Sequence, residues 1–400
     1  MLIKKKITRE EIKILSITII GAIAGTLGTD IHLASMPHIM LFMHTNKTHM
    51  QQSVSLFLLG LGASALIYGP LSDKYGRKPV MIFGLALATL ASVAAAFTTN
   101  IGPFLLMRLL QGLGSGVCSA LGRTIIADIL QGNRMAVIGA YFSIVVSLSP
   151  LFAPALGGYI QTWFGWQMNF IVLALFLLFT LLLYVFFYPE TNHHKNPRAF
   201  CINSLYLNYK SLLTHPVFIG LAIASGIAMA ANMAYATTSS FIFQTEFHVT
   251  PIFYGWLTAI AGIAGILGKL TMGKTLHRLG SKHTLLTGVL LQLLGGVWIC
   301  FFAFFHEINI PLTLLAVFAA IFGQVYIGSI TSSRALSPFH EKRGSAGALY
   351  GSCQMLIAFA SSAIVGAISH QKGVVVLGSA YIVLGALGLA IFIMIGQRIR

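Results

Sequence analysis

The feature that most constrains this chain is a succession of continuous apolar runs, each near 20 residues. Coiled as a helix, such a run matches the thickness of a bilayer's hydrocarbon core. The runs are too long and too continuous for the short alternating strands of a membrane barrel. They predict twelve spans, at 14–41, 50–71, 79–98, 102–126, 136–160, 167–188, 217–243, 252–273, 283–304, 311–333, 345–368 and 374–396. A soluble fold is excluded by composition. Hydrophobic residues make up 56% and charged residues 8%, where a soluble domain carries about a quarter charged residues. The expected class is an all-α polytopic membrane protein. The opening "MLIKKKITREEIKILSITIIGAIAG" has the basic-then-apolar order of a signal peptide. Its apolar run is too long and no convincing cleavage site ends it, so it reads as a retained first span.

Lys and Arg number 25 against nine Asp and Glu, a formal net charge of +16. In a soluble domain that excess would suggest nucleic acid. Here the basic residues fill the gaps between apolar runs and set orientation instead. With the N-terminus inside, the inner segments hold Lys4, Lys5, Lys6, Arg9, Lys13, Lys74, Arg77, Lys78 and Arg134. They continue with Lys195, Arg198, Lys210, Lys274, Arg278, Lys282, Arg334, Lys342, Arg343, Arg398 and Arg400. The outer loops hold only Lys47 and Lys372, beside Glu246 and Glu307. Both termini are therefore expected in the cytoplasm.

Connections are short except for the polar segment 189–216. It divides the chain into an N-terminal six-helix bundle (1–188), a cytoplasmic linker (189–216) and a C-terminal six-helix bundle (217–400). The halves also repeat. "GPLSDKYGRKP" at 69–79 aligns with "GKTLHRLGSKH" at 273–283, pairing Gly69, Lys74, Gly76 and Lys78 with Gly273, Arg278, Gly280 and Lys282. Each turn follows the second span of its half. Parallel repeats of this kind point to a transporter with its cavity between two bundles.

Other classes lack their signatures. Cys118, Cys201, Cys300 and Cys353 are scattered, make no metal-type spacing, and read as small buried hydrophobes. There is no phosphate-binding G-x-x-x-x-G-K-[ST] loop and no nucleophile with a partner, which argues against a membrane enzyme and against direct ATP hydrolysis. The longest polar segment is too short to be the soluble domain of a sensor or scaffold.

Several polar residues fall inside the spans. Asp30 lies past the middle of the first span with no Lys or Arg within a helical turn. An intramembrane carboxylate usually faces a cavity or a partner, and burial favours its neutral form, which suits a proton carrier. The alternative is a fixed structural pair or an interfacial carboxylate in water. Arg108, Gln111, Ser115 and Ser119 share one face of the fourth span. Arg108 can hold a carboxylate ionised or bind an anion, or else act as a hydrogen-bond hub within the N-terminal bundle. The fifth span carries Ser143, Ser147, Pro150, Pro154, Gly157 and Gly158 at helical spacing. The small residues allow close approach and the prolines bend the helix, so this span reads as a hinged seam against the C-terminal half or as ordinary packing. Gly347, Gly351, Gln354, Ala358 and Ser361 share a face of the eleventh span. Substrate-cavity candidates are His32, Met36, Gln111, Ser115, Asn232, Tyr235 and Gln354. Lys269, near the inner end of the eighth span, is expected to snorkel to the interface.

The turn "GPLSDKYGRKP" resembles the loop motif of the major facilitator superfamily, and "RLLQGLGSG" (108–116) its fourth-span motif. "SLSPLFAPALGGYI" (147–160) is similar to the antiporter motif of drug–proton exchangers. "TDIHLASMP" (29–37), "FGWQMNF" (164–170), "YPET" (188–191) and "GSAGALYGSCQMLIAF" (344–359) resemble the Bcr/CflA drug-resistance subgroup. The resemblance covers nearly the whole chain. It departs in the first span, where His32 and Ala34 replace the usual Tyr and Pro. It implies two six-helix bundles and a monomeric carrier in a bacterial inner membrane. Such a carrier exports small amphipathic molecules or drugs in exchange for protons, by alternating access and without a cofactor. It also implies proton coupling at Arg108 and an inner latch at Asp73, supported by Gly69, Gly76 and Arg77. Arg123, or the backbone N–H groups near Gly344 and Ser345, would receive the Asp73 carboxylate. A dedicated exporter of one metabolite or siderophore is the alternative, ahead of a proton-symport importer.

Overall fold

The computed structural model describes residues 8–130, 132–193, 195–197, 199–200, 209–339, 343–368 and 372–395. Lys4, Lys5, Lys6, Arg198, Cys201, Lys342, Arg398 and Arg400 lie outside the described residues. Among the described residues the regular structure is entirely helical. The helices are α1 (Arg9–Asp30), α2 (Met36–Phe42), α3 (Lys47–Tyr75), α4 (Arg77–Ala96), α5 (Ile101–Ile129), α6 (Gly132–Val146) and α7 (Ser149–Phe164). They continue as α8 (Gln167–Phe186), α9 (Pro216–Phe241), α10 (Pro251–Phe304), α11 (Ile310–Leu336), α12 (Arg343–Ala367) and α13 (Gly373–Ile395).

These elements make eleven continuous apolar segments of membrane-crossing length. One of them, α10, runs for 54 residues, about 80 Å if straight, which is more than twice a bilayer core. It breaks at Gly280, with φ 71° and ψ 171°, and so supplies two spans. The total is twelve, as the apolar runs predict.

The repeat between the halves is visible in the backbone. Gly76, aligned with Gly280, has φ 108° and ψ 160°. Both glycines turn the chain through a conformation closed to residues with a Cβ. The turn in the first half is tighter than the sequence suggests. Residues 69–75 stay in α3, and only Gly76 leaves the helix, its N–H bonding the carbonyl of Ser72 at 3.0 Å.

Two spans predicted to be continuous are broken, each just before a proline. A proline ring clashes with the carbonyl four residues back and lacks an N–H. Pro37 ends the first span's helix, so α1 stops at Asp30 and a 3₁₀ turn (Leu33–Ser35) leads into α2. Pro150 does the same in the fifth span, where α6 ends at Val146 and α7 starts at Ser149.

Glycine sets the packing of the N-terminal half around α5. A Cβ on Gly112 would overlap the carbonyl oxygen of Phe57 in α3, and one on Gly114 would overlap the backbone of Ala88 in α4. The stretch "RLLQGLGSG" thus lets two neighbours approach backbone to backbone.

One apolar cluster joins the halves toward the Lys47 end of the molecule. It unites Leu33, Met36 and Phe170 with Tyr235, Tyr254 and Leu377. At that end Lys47 pairs with Glu246 at 3.6 Å, and Gln51 donates to the carbonyl of Thr237 at 3.0 Å. Toward the Gly76 end, Gly139, Gly347 and Gly351 face open space. The halves still touch there, with Leu66 of α3 packed against the cluster that holds Leu349 and Tyr350.

Substituting Gly112→Ala should lower the thermal midpoint of the purified protein by an amount matching about 1–3 kcal/mol of overpacking. Gly265→Ala, with nothing near its added methyl, should leave the midpoint unchanged or raise it slightly.

Candidate functional site

The break in the first span frees backbone carbonyls, and three distant elements converge on them. The guanidinium of Arg108 reaches the carbonyl of Gly28, with Nη1 donating at 3.0 Å. Gln244 Nε2 donates to the carbonyl of Ala34 at 3.0 Å. Gly157 lies so close to the carbonyl of Ile31 that a Cβ would overlap it. Asn169 completes the clamp, its Nδ2 donating to Ser35 Oγ at 2.6 Å and to the Gly157 carbonyl at 3.3 Å.

Arg108 is fully buried. Its Nε donates to the carbonyl of Ser53 at 3.3 Å, and Nη1 also donates to Gln111 Oε1. Gln111 Nε2 passes the network on to Ser92 Oγ at 2.7 Å. The Phe57 ring lies under the guanidinium, 4.4 Å from its central carbon. Nη2 is left without a protein partner.

Asp30 occupies the last position of α1 and is 8% exposed. It is within electrostatic range of Arg108, yet the two form no ion pair among the described residues. Tyr254, from the C-terminal half, is also within electrostatic range of Asp30, and its hydroxyl meets Ser239 Oγ at 2.9 Å. His32 is fully buried with neither ring nitrogen partnered, and Ser115 Oγ is likewise unpartnered. These groups form a buried polar cluster around the break in which a carboxylate, an imidazole and a guanidinium edge all retain bonding capacity.

The other cavity candidates divide. Tyr235 is buried with an unpartnered hydroxyl. Asn232 donates to Gln324 Oε1 at 2.8 Å, and Gln354 donates to Ser225 Oγ at 2.9 Å. Their amides are thus bonded inside the C-terminal half. Met36 is core, fully buried in the shared apolar cluster.

The seam in the fifth span is close-packed. Gly158 abuts the carbonyl of Pro251, and a Cβ on Gly255 would come 2.6 Å from the carbonyl of Pro154. Pro150 is exposed at the start of α7. Lys269 departs from its expected snorkelling. Its ammonium crosses the seam to the carbonyl of Ser143 at 2.9 Å and to Ser147 Oγ. It bonds the last turn of α6 beside the break, at a carbonyl that also accepts from the Ser147 N–H at 3.3 Å.

At the Gly76 end, the carboxylate of Asp73 pairs with Arg77 at 2.6 Å, not with Arg123. Arg77 also reaches Ser72 Oγ at 2.6 Å and Asp128 Oδ2 at 3.0 Å. The Arg77 side chain lies one helical turn from Asp73 across the break, which makes it the nearer cation. Arg123 is exposed. A Cβ on Gly69 would meet Ala348 of α12 at 4.0 Å. Glu190, whose contribution was not foreseen, caps α4 by accepting from the N–H groups of Arg77 at 2.8 Å and Lys78 at 3.2 Å. Its sequence signal was an acid directly after Pro189, facing a helix start that needs acceptors.

The sequence model of the Major Facilitator Superfamily matches residues 18–245 and 221–397. The chain belongs to that superfamily. It is 24% identical over 343 residues to a bicyclomycin resistance protein homolog of Haemophilus influenzae, covering 85% of this chain and 84% of that one. It is 27% identical over 342 residues to the chloramphenicol resistance protein CraA of Acinetobacter baumannii, covering 84% and 80%. Among solved structures it resembles the partially occluded, inward-open xylose transporter XylE from Escherichia coli. That match has a TM-score of 0.75 at 15% identity and covers 97% and 98% of the two chains. The chain is a multi-pass membrane protein of a transporter family, with the superfamily's twelve-helix fold.

Replacing the cap, Glu190→Ala, should cost about 1 kcal/mol of stability. Hydrogen exchange should show faster exchange confined to the first turn of α4, while the neighbourhood of Asp30 stays protected.

Proposed function

We propose that this chain is a proton-coupled secondary transporter that exports small amphipathic molecules, drugs among them, by alternating access. The observation that carries the reading is the buried polar cluster at the broken first span. Asp30 is buried beside a guanidinium whose bonds go to backbone carbonyls and an amide, so the carboxylate is free to exchange a proton. A buried carboxylate without a committed partner is what a proton carrier needs. The names of the relatives, which speak of bicyclomycin and chloramphenicol resistance, support export of drugs and a place near the Bcr/CflA subgroup.

In this reading the basic Gly76 end faces the cytoplasm, as do both termini, and the membrane is a bacterial inner membrane. The conformer is then closed to the outside and open inward. Residues 1–188 and 217–400 form the two bundles and 189–216 the cytoplasmic linker, and one copy suffices. Asp30 and Arg108 carry proton coupling. A proton entering from outside neutralises Asp30 and weakens its attraction to Arg108, which favours the inward-facing state. Substrate bound near His32, Gln111, Ser115 and Tyr235, with Asn232, Gln354 and Met36 shaping the wall, favours proton release and return. Antiport requires that the two ligands compete energetically. Pro150, Pro154, Gly157 and Gly158 keep the seam tight against leakage. The cluster of Asp73 and Arg77, flanked by Gly69 and Gly76 with Arg123 nearby, acts as the inner latch. No cofactor is required, since the proton gradient drives the cycle.

A narrower reading, a dedicated exporter of one metabolite or siderophore, draws on His32. Two unpartnered ring nitrogens in the cluster would reward a substrate with matching donors and acceptors.

In proteoliposomes loaded with a drug such as chloramphenicol, an imposed pH gradient should drive its movement against its own gradient, with matching proton flux. Asp30→Asn should reduce this gradient-driven accumulation by at least about tenfold, the equivalent of about 1.4 kcal/mol. Exchange down a concentration gradient should persist. Transport in the wild type that ignores the pH gradient would remove proton coupling from the proposal.

A further inference from the structure

Lys269 holds a positive charge at membrane depth with no acid to balance it. It sits about 16 Å along the helix from the break at Gly280, and its side chain is half-buried. Its acceptors, the Ser143 carbonyl and Ser147 Oγ, are both neutral. Among the described residues no carboxylate lies within salt-bridge distance of it. Asp73 and Asp128 are engaged by Arg77, Glu11 by Arg134, and Glu246 by Lys47. The charged neighbour within electrostatic range is a second cation, Arg123. Arg123 is exposed and, among the described residues, makes no hydrogen bond or ion pair. It sits nearer the Gly76 end, about 9 Å from the end of α5. Tyr350 of α12 is within electrostatic range of Arg123, and Gly347 and Gly351 on that helix border open space. Two like charges therefore lie within electrostatic range of each other beside open space at α12, Arg123 nearer the Gly76 end and Lys269 deeper.

Charge buried at this depth is costly and persists where it meets a water-filled passage or a ligand. Two cations raise the local potential in the passage and concentrate anions there. We propose that Lys269, with Arg123 as the outlying cation, binds the anionic group of transported molecules, so that amphipathic carboxylates are among the substrates. This rests on the exporter reading and names a substrate class within it. The site also adjoins the fifth span. The ammonium has three donors, and Ser143 and Ser147 take two of them, so a carboxylate bound by the third sits beside the break between α6 and α7. A charge-assisted bond to a carboxylate is stronger than one to a hydroxyl or a carbonyl.

The test is equilibrium binding to the full-length chain in phosphatidylcholine nanodiscs, with 2-naphthoate and the uncharged 2-naphthamide as probes. The wild type should prefer naphthoate by at least about tenfold. Lys269→Gln should bring the ratio of affinities to within about twofold of unity, and Lys269→Arg should keep most of the preference. Arg123→Gln should reduce it by less, in a manner that salt suppresses. Equal affinities in the wild type, or a preference that survives Lys269→Gln, would overturn the assignment. A parallel loss of both probes in Lys269→Gln would also overturn it and leave Lys269 as a hinge lock. If adding phosphatidylglycerol abolishes the naphthoate preference, the site belongs to a lipid phosphate and the substrate assignment fails. The measurement uses no gradient, so its failure is separable from a failure of proton coupling.

Discussion

The guanidinium of Arg108 is the interaction on which the N-terminal half depends. It is fully buried and spends its donors on the Gly28 carbonyl of α1, the Ser53 carbonyl of α3 and Gln111 of its own helix. Gln111 then reaches Ser92 of α4. One side chain thereby ties four helices together through groups that lipid could not satisfy. The Gly28 carbonyl is available because the helix stops just beyond it, at Asp30. The break, the arginine and the carboxylate form one device. A continuous first helix would leave the Gly28 carbonyl shared with a helical donor, and it would carry Asp30 on an unbroken face.

The breaks share a physical origin and a common consequence. Pro37 and Pro150 each forbid a continuous helix, and partners from other elements bond backbone carbonyls beside each break. In the first span these partners are Arg108 and, from the C-terminal half, Gln244. In the fifth span the partner is Lys269, also from the C-terminal half. Gln244 lies in a π-helical turn, Ile242–Glu246, which also carries the Glu246 that pairs with Lys47. Irregular helical turns of this kind recur at functional positions. These contacts add to the regular packing of α3 on α12, where the Ser55 and Ser362 hydroxyls meet at 2.8 Å, and a change at either break bears directly on how the halves meet.

Much of this was legible in the sequence, and the missing parts share a reason. Span number followed from the lengths of the apolar runs. The tight turns followed from Gly76 and Gly280, because glycine alone tolerates their backbone angles. The polar face of Arg108, Gln111 and Ser115 followed from helical spacing. The prolines at 37 and 150 were visible as well, and they carried more than bending, since each ended a helix. What could not be read were the long-range partners. Asp73 had several cations within reach in sequence, and the choice of Arg77 depended on how its side chain folds back over the end of α3. Lys269 was assigned to the interface because its position along one helix was known and the position of α6 was not. Glu190, Asn169 and Gln244 act on backbone groups whose availability depends on where helices end, and the ends are the least determined feature of a sequence.

The repeat clarifies what belongs to architecture and what to chemistry. Arg77, just past Gly76, bonds Asp128 at the end of α5 at 3.0 Å. Ser281, just past Gly280, accepts from Arg334 near the end of α11, also at 3.0 Å. The same two places in each half are joined across the same distance, so the backbone plan requires a bond there. The chemistry differs. In the first half the turn supplies the cation, and Asp73 adds a second carboxylate to it. In the second half the turn supplies a hydroxyl, and the Asp position is His277. A link between two charges depends on ionisation and on competing ions, while a link to a hydroxyl depends much less on either. The Gly76 end of the N-terminal half is thus joined by charged groups at a place where the C-terminal half bonds a hydroxyl. The scarce acids at 73 and 128 both meet Arg77 at that link.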